Sequence, residues 1–251
     1  MGYVDVDGRK IWHEVDGAGA PVVLLHGGFA DATSFAPLVG PLVGAGYQVL
    51  RPERTGHGRT PDTDAPWSYE SMAQETIAYL EAARAQPVRL VGWSDGAYVA
   101  VLVAMQRPEL VSQQVLIGQY YNDSGRAGGA AVEMFLANRE GAMSFLRQNY
   151  DQLSPDGPDH FPVVFDKTAA MWQAEPQLSS EDFAAITTPT LVMQGDRDEP
   201  IVAHGAAVAS ALPDGRFAVL PGTHGLPLES PELVSALLVQ FFRGVPPPAF
   251  G

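Results

Sequence analysis

The sequence of 251 residues contains no cysteine, which excludes disulfide bonds, a catalytic thiolate and any metal site with cysteine ligands. It also lacks a long hydrophobic run, because no segment approaches the roughly 20 apolar residues that a membrane-spanning helix requires. Residues 1–7 show neither the basic nor the apolar stretch of a secretory signal peptide. We therefore expect a cytoplasmic protein without a membrane partner.

Basic residues are scarce: 15 Lys and Arg stand against 29 Asp and Glu, a formal net charge of −14. The negative electrostatic potential of such a chain repels nucleic-acid phosphates and anionic lipids, so neither is expected as a partner. Hydrophobic residues make up 46% of the chain, which is enough for one sizeable core. A small molecule is the expected ligand, and the sequence leaves the oligomeric state open.

Short continuous apolar runs alternate with helix-like segments over most of the chain. Residues 2–15 differ and predict two antiparallel strands at a sheet edge, joined at Asp7-Gly8. The apolar runs are typical of strands buried on both faces, and the alternation predicts a parallel sheet flanked by helices. Predicted buried strands are 22–25, 47–50, 88–91, 115–117 and 190–193, and predicted helices are 33–44, 70–84, 95–106, 201–211 and 230–243.

Residues 119–187 interrupt this alternation, because they contain glycine, proline and aromatic residues but no clear strand. They predict an inserted cap of short helices. The expected organisation is a core formed by 1–118 and 188–244 with the cap between them. The tail 245–251 includes three consecutive prolines and is expected to fray.

The sequence Gly92-Trp93-Ser94-Asp95-Gly96 directly follows a predicted buried strand and precedes a predicted helix. This is the context of a nucleophile elbow, a strained turn in which positions two before and two after the nucleophile must lack bulky side chains. Gly92 and Gly96 meet that need. The positive end of the helix favours developing anionic charge beside the serine, so Ser94 is the predicted nucleophile.

A serine hydroxyl needs a base, normally a histidine that a carboxylate holds in one tautomer. His224 follows the apolar run 217–220 and is the predicted base. For the carboxylate, Asp196 and Asp198 compete in the loop after 190–193, and we favour Asp198 because it lies later in the loop. The order Ser94, Asp198, His224 is that of nucleophile, acid and base in one large group of hydrolases.

Backbone N–H groups must stabilise the oxyanion of the transition state. One is expected on Asp95, the residue after the nucleophile, and the second on Gly28, with Phe29 close behind it. These residues belong to His26-Gly27-Gly28-Phe29, which follows the strand 22–25. A simple tight turn at these glycines remains the alternative interpretation.

The other five histidines show no metal-ligand spacing, and neither a metal nor a cofactor is expected. His26 is interpreted as bracing its loop through hydrogen bonds and His57 as part of a turn. His13, His160 and His204 are interpreted as lying on the surface of a strand, the cap and a helix.

Five motifs together resemble the α/β-hydrolase superfamily, across nearly the whole chain. They are His26-Gly27-Gly28-Phe29, Arg54-Thr55-Gly56-His57-Gly58-Arg59-Thr60, Gly92-Trp93-Ser94-Asp95-Gly96, Gly195-Asp196-Arg197-Asp198 and Gly222-Thr223-His224. The resemblance implies a mostly parallel eight-stranded sheet flanked by helices, with a helical cap. Thr55 stands where the family commonly has arginine, in a loop that we interpret as structural.

The Trp-Ser-Asp elbow is similar to that of small-molecule esterases, including hydrolases of amino-acid esters. The expected reaction is cleavage of a carboxylic ester, lactone or thioester through an acyl-enzyme on Ser94. Carbon–carbon bond hydrolysis or acyl transfer with the same triad is one alternative, and a non-enzymatic ligand sensor on the same fold is another.

Apolar side chains of the predicted cap are candidates to wall a substrate pocket, although at least half of them are expected to pack the cap instead. The specific pocket candidates are Trp93, Phe135, Phe145 and Trp172. A further hypothesis pairs the Asp95 carboxylate with a substrate ammonium group. The full set of cap candidates is Met134, Phe135, Met143, Phe145, Phe161, Phe165, Met171 and Trp172.

Overall fold

The computed structural model of the chain describes residues 1–85, 87–126, 131–174 and 177–244, without the side chains of residues 131 and 132. The predicted fraying of 245–251 lies outside these residues. The strands are β1 Gly2–Val6, β2 Arg9–Asp16, β3 Ala20–Leu25, β4 Tyr47–Pro52, β5 Val88–Trp93, β6 Val111–Ile117, β7 Thr190–Gly195 and β8 Gly215–Leu220.

All eight strands form one sheet in the order β1-β2-β4-β3-β5-β6-β7-β8. The strand pairs β1–β2 and β2–β4 are antiparallel, and every later pair is parallel. Asp7 and Gly8 both have positive φ, 51° and 78°, as the tight turn between β1 and β2 requires. The predicted antiparallel edge and parallel sheet are confirmed.

Helices cover both faces of the sheet, and the buried strands explain why. In β3, Val23 and Leu25 belong to one hydrophobic cluster while Val22 and Leu24 belong to the cluster on the opposite face. The helices are α1 Ala36–Gly44, α2 Tyr69–Ala82, α3 Asp95–Gln106, α4 Ala131–Ala137, α5 Arg139–Leu146, α6 Tyr150–Leu153, α7 Phe161–Ala174, α8 Ser180–Ala184, α9 Val202–Ala211, α10 Leu226–Glu229 and α11 Pro231–Phe242.

One predicted helix is divided, because the segment 33–44 begins with a 3-10 turn at Ala32–Phe35 before α1. The predicted helix 230–243 corresponds to α11, and a separate short helix, α10, precedes it outside the predicted range. Pro231 occupies the first turn of α11, where its missing N–H costs nothing, which explains why a new helix begins there.

Helices α4 to α8 lie between β6 and β7, and the described residues between Ile117 and Thr190 contain no strand. We call residues 131–174 and 177–184 the helical segment. It has a small apolar core of its own, formed by Ala142, Tyr150, Phe161, Val164 and Phe165. The division into a core and a 119–187 cap is kept as a proposal. None of the described helices is long and apolar enough to cross a bilayer.

Candidate active site

Ser94 lies at the turn between β5 and α3 and has φ 54° and ψ −124°, a conformation that L-residues rarely adopt. A Cβ atom on Gly92 would lie 2.1 Å from the Gly96 carbonyl oxygen, and one on Gly96 would lie 2.0 Å from the Leu25 carbonyl oxygen. The two glycines are therefore sterically required. This turn has the geometry that the sequence predicted for a nucleophile elbow.

Ser94, His224 and Asp198 form one hydrogen-bonded chain. The Oγ atom of Ser94 lies 3.0 Å from Nε2 of His224, and Nδ1 of His224 lies 2.8 Å from Oδ1 of Asp198. Each residue follows the carboxyl end of a parallel strand: β5, β8 and β7, respectively. Because Nδ1–H donates to the carboxylate, Nε2 is free to accept the serine proton.

The competition between Asp196 and Asp198 is decided by loop geometry. The Asp198 side chain is fully buried, and its Oδ1 also accepts a hydrogen bond of 2.7 Å from the N–H of Glu199. Asp196 instead accepts from the N–H of Gly222, 3.0 Å away, and joins the two loops at the sheet edge. Of the two aspartates, only Asp198 forms a hydrogen bond with His224.

The charges around His224 favour its protonated form. Burial lowers the pKa of this imidazole, but the hydrogen bond and charge of Asp198, together with the charges of Glu199 and Asp95, outweigh burial. The pKa of His224 is therefore raised above its ordinary value. A base of this kind binds the serine proton more firmly than a free imidazole does.

Hydrogen bonds from two directions hold the His224 loop. Trp93 donates from Nε1 to the His224 carbonyl oxygen at 2.8 Å, and Glu229 accepts from the N–H of Thr223 at 2.8 Å and from its hydroxyl. These hydrogen bonds also lower the pKa of Glu229, which stays ionised. Trp93 is thus both the residue before Ser94 in the chain and a support for the His224 loop.

The loop with the proposed oxyanion donors rests on a buried arginine. Arg54 is 2% exposed and donates from its guanidinium to the carbonyl oxygens of His26 and Gly27. Its backbone N–H donates to Nε2 of His26, so Nδ1 of that imidazole carries the proton and donates to the Gly27 carbonyl. The bracing role predicted for His26 agrees with this geometry.

Gly28 and Phe29 both line the cavity in front of Ser94. Phe29 has φ 56°, an uncommon conformation for a bulky residue, and its ring packs against Phe165 and Trp172 with centroids 5.7 and 5.5 Å away. A Cβ atom on Gly28 would lie 2.6 Å from Oδ2 of Asp95 and 2.9 Å from Trp172. The backbone of this loop therefore approaches the elbow closely.

Asp95 is 2% exposed and lies at the floor of the same cavity. Its Oδ1 accepts hydrogen bonds from the Tyr69 hydroxyl at 2.6 Å and from Nε1 of Trp172 at 2.9 Å, and its Oδ2 lies 3.1 Å from Nε1 of Trp172. Burial raises the pKa of Asp95, although these hydrogen bonds and the nearby Arg54 oppose the shift. Asp95 thereby links the elbow to α2 and α7.

The cavity has a volume of about 470 Å³, and Ser94 and His224 are among the residues that line it. All four pocket candidates, Trp93, Phe135, Phe145 and Trp172, line it. Five other predicted wall residues do not: Phe161, Phe165 and Met171 are buried in apolar clusters, Met143 packs against one, and Met134 is 60% exposed. The expectation that most of these side chains pack elsewhere agrees with this arrangement.

The interpretation of His204 as a surface residue is wrong. It is 5% exposed, and its Nε2 accepts a hydrogen bond of 3.1 Å from the N–H of Tyr121, because α9 packs against the chain leaving β6. His160 is half-buried and bonds to Asp62, and His13 is half-buried beside Tyr79. Among the described residues, no group of His, Asp and Glu is arranged to hold a metal ion.

Several cavity residues were missed by sequence reasoning. Apart from Thr223, which belongs to the Gly222-Thr223-His224 motif, they lie in loops and helices outside the five motifs, so only the tertiary fold reveals them. The missed residues are Tyr69, Gln119, Tyr120, Leu146, Glu199, Thr223, Gly225 and Glu229. Glu199 and Thr223 could have been suspected, since each is adjacent to a predicted triad residue.

A family model described as the alpha/beta hydrolase family matches residues 22–237. The chain belongs to the alpha/beta hydrolase family. The sheet order and the helices on both faces are those expected of this fold, and the resemblance stated from the five motifs is confirmed.

Similar members of the alpha/beta hydrolase family carry several different activities in their names. The chain is 28% identical to a pyrrolizixenacetamide deacetylase from Xenorhabdus hominickii, over 96% of this chain and 97% of that protein. It is 27% identical to a non-heme haloperoxidase from Rhodococcus erythropolis, over 94% and 97%. A meta-cleavage product hydrolase from Pseudomonas fluorescens, CumD, has a similar structure, with a TM-score of 0.80 and 20% identity over 97% and 98%.

Proposed function

We propose that this protein is a serine hydrolase that cleaves a small-molecule carboxylic ester, lactone or thioester through an acyl-enzyme on Ser94. The observation that carries the proposal is the hydrogen-bonded chain from Asp198 through His224 to Ser94 beside an apolar cavity. Family membership supports it, since hydrolysis is the activity for which the family is described.

In the first half of the reaction, Ser94 Oγ attacks the substrate carbonyl carbon while Nε2 of His224 takes the hydroxyl proton. The carbonyl oxygen becomes an oxyanion, and the N–H groups of Gly28 and Asp95 stabilise it, with Phe29 holding the first of these loops in place. The carbon–oxygen or carbon–sulfur bond then breaks. The leaving group takes the proton from His224, and the acyl group stays on Ser94.

In the second half, a water molecule enters and loses a proton to His224 while its oxygen attacks the acyl carbon. The acyl-enzyme bond breaks, the proton returns to Ser94 Oγ, and the carboxylic acid leaves. Asp198 stays ionised throughout and stabilises the imidazolium that forms in each half. Trp93 and Glu229 contribute by keeping the His224 loop in one position.

The test is labelling with a fluorophosphonate probe together with turnover of p-nitrophenyl esters of increasing acyl length. We expect the native protein to label and to show an acyl-length optimum. Ser94→Ala and His224→Ala should neither label nor turn over. Ser210→Ala, on the exposed face of α9, is the matched control and should behave as the native protein.

Labelling that persists in Ser94→Ala would refute the assignment of the nucleophile. Failure of the native protein to label or to hydrolyse any ester would favour the ligand-sensor alternative. The substrate panel should also contain an acetamide and a vinylogous diketone. One similar protein is named as an amide deacetylase, and carbon–carbon hydrolysis or acyl transfer would use the same triad.

A further inference from the structure

The cavity in front of Ser94 is lined by carboxylates but by no permanent cation. Asp95, Glu199 and Glu229 all contribute to its surface. Among the described residues that line it, there is no lysine or arginine, and His224 is the sole basic side chain. The residues outside the described ranges contain no Lys, Arg or His, so they cannot supply the missing charge.

Each of the three carboxylate residues lies close to Ser94 or His224 in the structure. Asp95 lies at the floor beside Gly28, and its charge contributes to raising the pKa of His224. Glu199 directly follows Asp198 and also raises the pKa of His224 by its charge. Glu229 holds Thr223, the residue before His224. An acyl group bound near Ser94 is therefore close to several negative charges.

Two arginines, Arg54 and Arg126, make contacts next to the cavity lining without being part of it. Arg54 lies behind the oxyanion loop, where it donates to backbone carbonyl oxygens and offsets part of the Asp95 charge. Arg126 lies 5.2 Å from the centre of the Tyr120 ring and 3.6 Å from Asp123. Neither of them lines the cavity. A substrate anion would thus lose water without gaining a cationic partner.

We propose that this cavity selects by charge: it takes neutral or cationic acyl groups and rejects acyl groups that carry a carboxylate or another anion. The inference rests on the proposed function and narrows its substrate class. Its physical basis is repulsion between the substrate anion and the lining carboxylates. This repulsion raises the free energy of the bound state and of the transition state relative to free enzyme and substrate, so it lowers kcat/KM for the anionic ester.

The experiment compares three p-nitrophenyl esters with acyl chains of similar length. They are the heptanoate, which is neutral, the adipate monoester, which ends in a carboxylate, and a trimethylammonio-hexanoate, which ends in a fixed cation. Each kcat/KM is divided by the rate of spontaneous hydrolysis of the same ester. We expect the adipate value to be at least roughly tenfold below the heptanoate value and the cationic ester to match or exceed heptanoate.

Two charge variants test whether the cavity carboxylates cause the difference in kcat/KM between the adipate and heptanoate esters. Glu199→Gln and Glu229→Gln should each narrow the gap between adipate and heptanoate by about two- to fivefold. Glu232→Gln on α11 changes the net charge equally but lies outside the cavity, and it should leave the gap unchanged. High salt should also narrow the gap, because it screens the carboxylates at the exposed mouth.

The outcomes separate this inference from the proposed function. If heptanoate is hydrolysed and adipate follows within about threefold, the charge selection is refuted while the esterase proposal stands. If no ester is hydrolysed, ligand binding tests the charge selection instead. The binding of hexanoate, hexanamide and hexyltrimethylammonium to the Ser94→Ala variant is then measured by tryptophan fluorescence. Weaker binding of hexanoate than of hexanamide supports the inference, and equal binding refutes it.

Discussion

The two walls of the cavity differ in how they are held. On the sheet side, Ser94, Asp198 and His224 follow the ends of β5, β7 and β8, and hydrogen bonds connect them to one another. On the other side, α4, α5 and α7 of the helical segment contribute Phe135, Phe145, Leu146 and Trp172. The Asp198 side chain is fully buried, whereas Phe145 is 72% exposed.

Polar contacts connect the helical segment to the rest of the chain at several points. Trp172 donates to Asp95 beside Ser94, Lys167 and His160 bond to Asp62, and Asn149 donates to Asp31. The rest of the helical wall contacts the site through aromatic packing, such as Phe29 against Trp172. The positions of Ser94, His224 and Asp198 are therefore fixed by the ends of the strands, while the shape of the rest of the cavity depends on the helical segment. Changes on the sheet side should therefore reduce kcat, and changes on the helical side should alter KM and substrate preference.

The largest effect is expected from the carboxylate of the triad. Asp198→Asn should lower kcat/KM for a good ester by roughly 10⁴-fold, because the amide stabilises the wrong tautomer of His224 and cannot stabilise the imidazolium. The matched control is Asp196→Asn in the same loop, which should retain activity within about tenfold. Equal losses of kcat/KM in Asp198→Asn and Asp196→Asn would contradict the assignment of Asp198 as the carboxylate that orients His224.

The pH dependence tests the charges on the sheet side. His224 must be neutral to act as base, and its pKa is raised, so kcat/KM should increase with pH up to a pKa above 6.5. Below that pKa, activity should fall about tenfold per pH unit. Because the Glu199 charge raises the pKa of His224, Glu199→Gln should move the acidic limb of the kcat/KM profile to lower pH. Glu232→Gln should leave that limb unchanged. A profile without an acidic limb would contradict the role of His224.

A smaller effect is expected at the exposed rim of the helical wall. Phe145→Ala should lower kcat/KM for long-chain esters by about three- to tenfold and leave short-chain esters nearly unchanged, since the ring is part of the cavity surface. The free energy of unfolding should change by less than about 1 kcal/mol, because the side chain is largely in solvent. Met134→Ala, also exposed but outside the cavity, should not alter the acyl-length profile. Identical profiles for all three proteins would show that the rim does not contact the acyl chain.

The smallest effect is expected from the polar contact that ties α7 to the sheet side. Lys167→Met removes the ammonium that bonds to Asp62 and to the Thr63 carbonyl, and should raise KM about two- to fivefold with little change in kcat. Arg139→Met is the control, because the Arg139–Asp166 pair lies within the helical segment. A fall in kcat without a change in KM would show that this contact positions the reacting atoms instead.

Much of the fold could be predicted because its signals are local. Continuous apolar runs predict strands buried on both faces. The elbow is recognisable from Gly92 and Gly96, because a Cβ atom at either position would collide with backbone atoms. The surface placement of His204 failed because its burial depends on where α9 packs, which helix periodicity does not specify. The cavity residues Tyr69 and Tyr120 were missed for the same reason.

Local sequence patterns specify the sheet, the turn at Ser94 and the order of the proposed triad residues, since these depend on neighbouring residues and on the rule that ligands bind at the carboxyl ends of parallel strands. The choice between Asp196 and Asp198 comes from the tertiary structure, because it depends on which carboxylate reaches an imidazole 26 residues away along the chain. The tertiary structure also brings particular aromatic side chains into the cavity, and it places Asp95, Glu199 and Glu229 in a lining that has no Lys or Arg among the described residues. Both depend on packing between segments distant in the chain, and no local pattern encodes that packing.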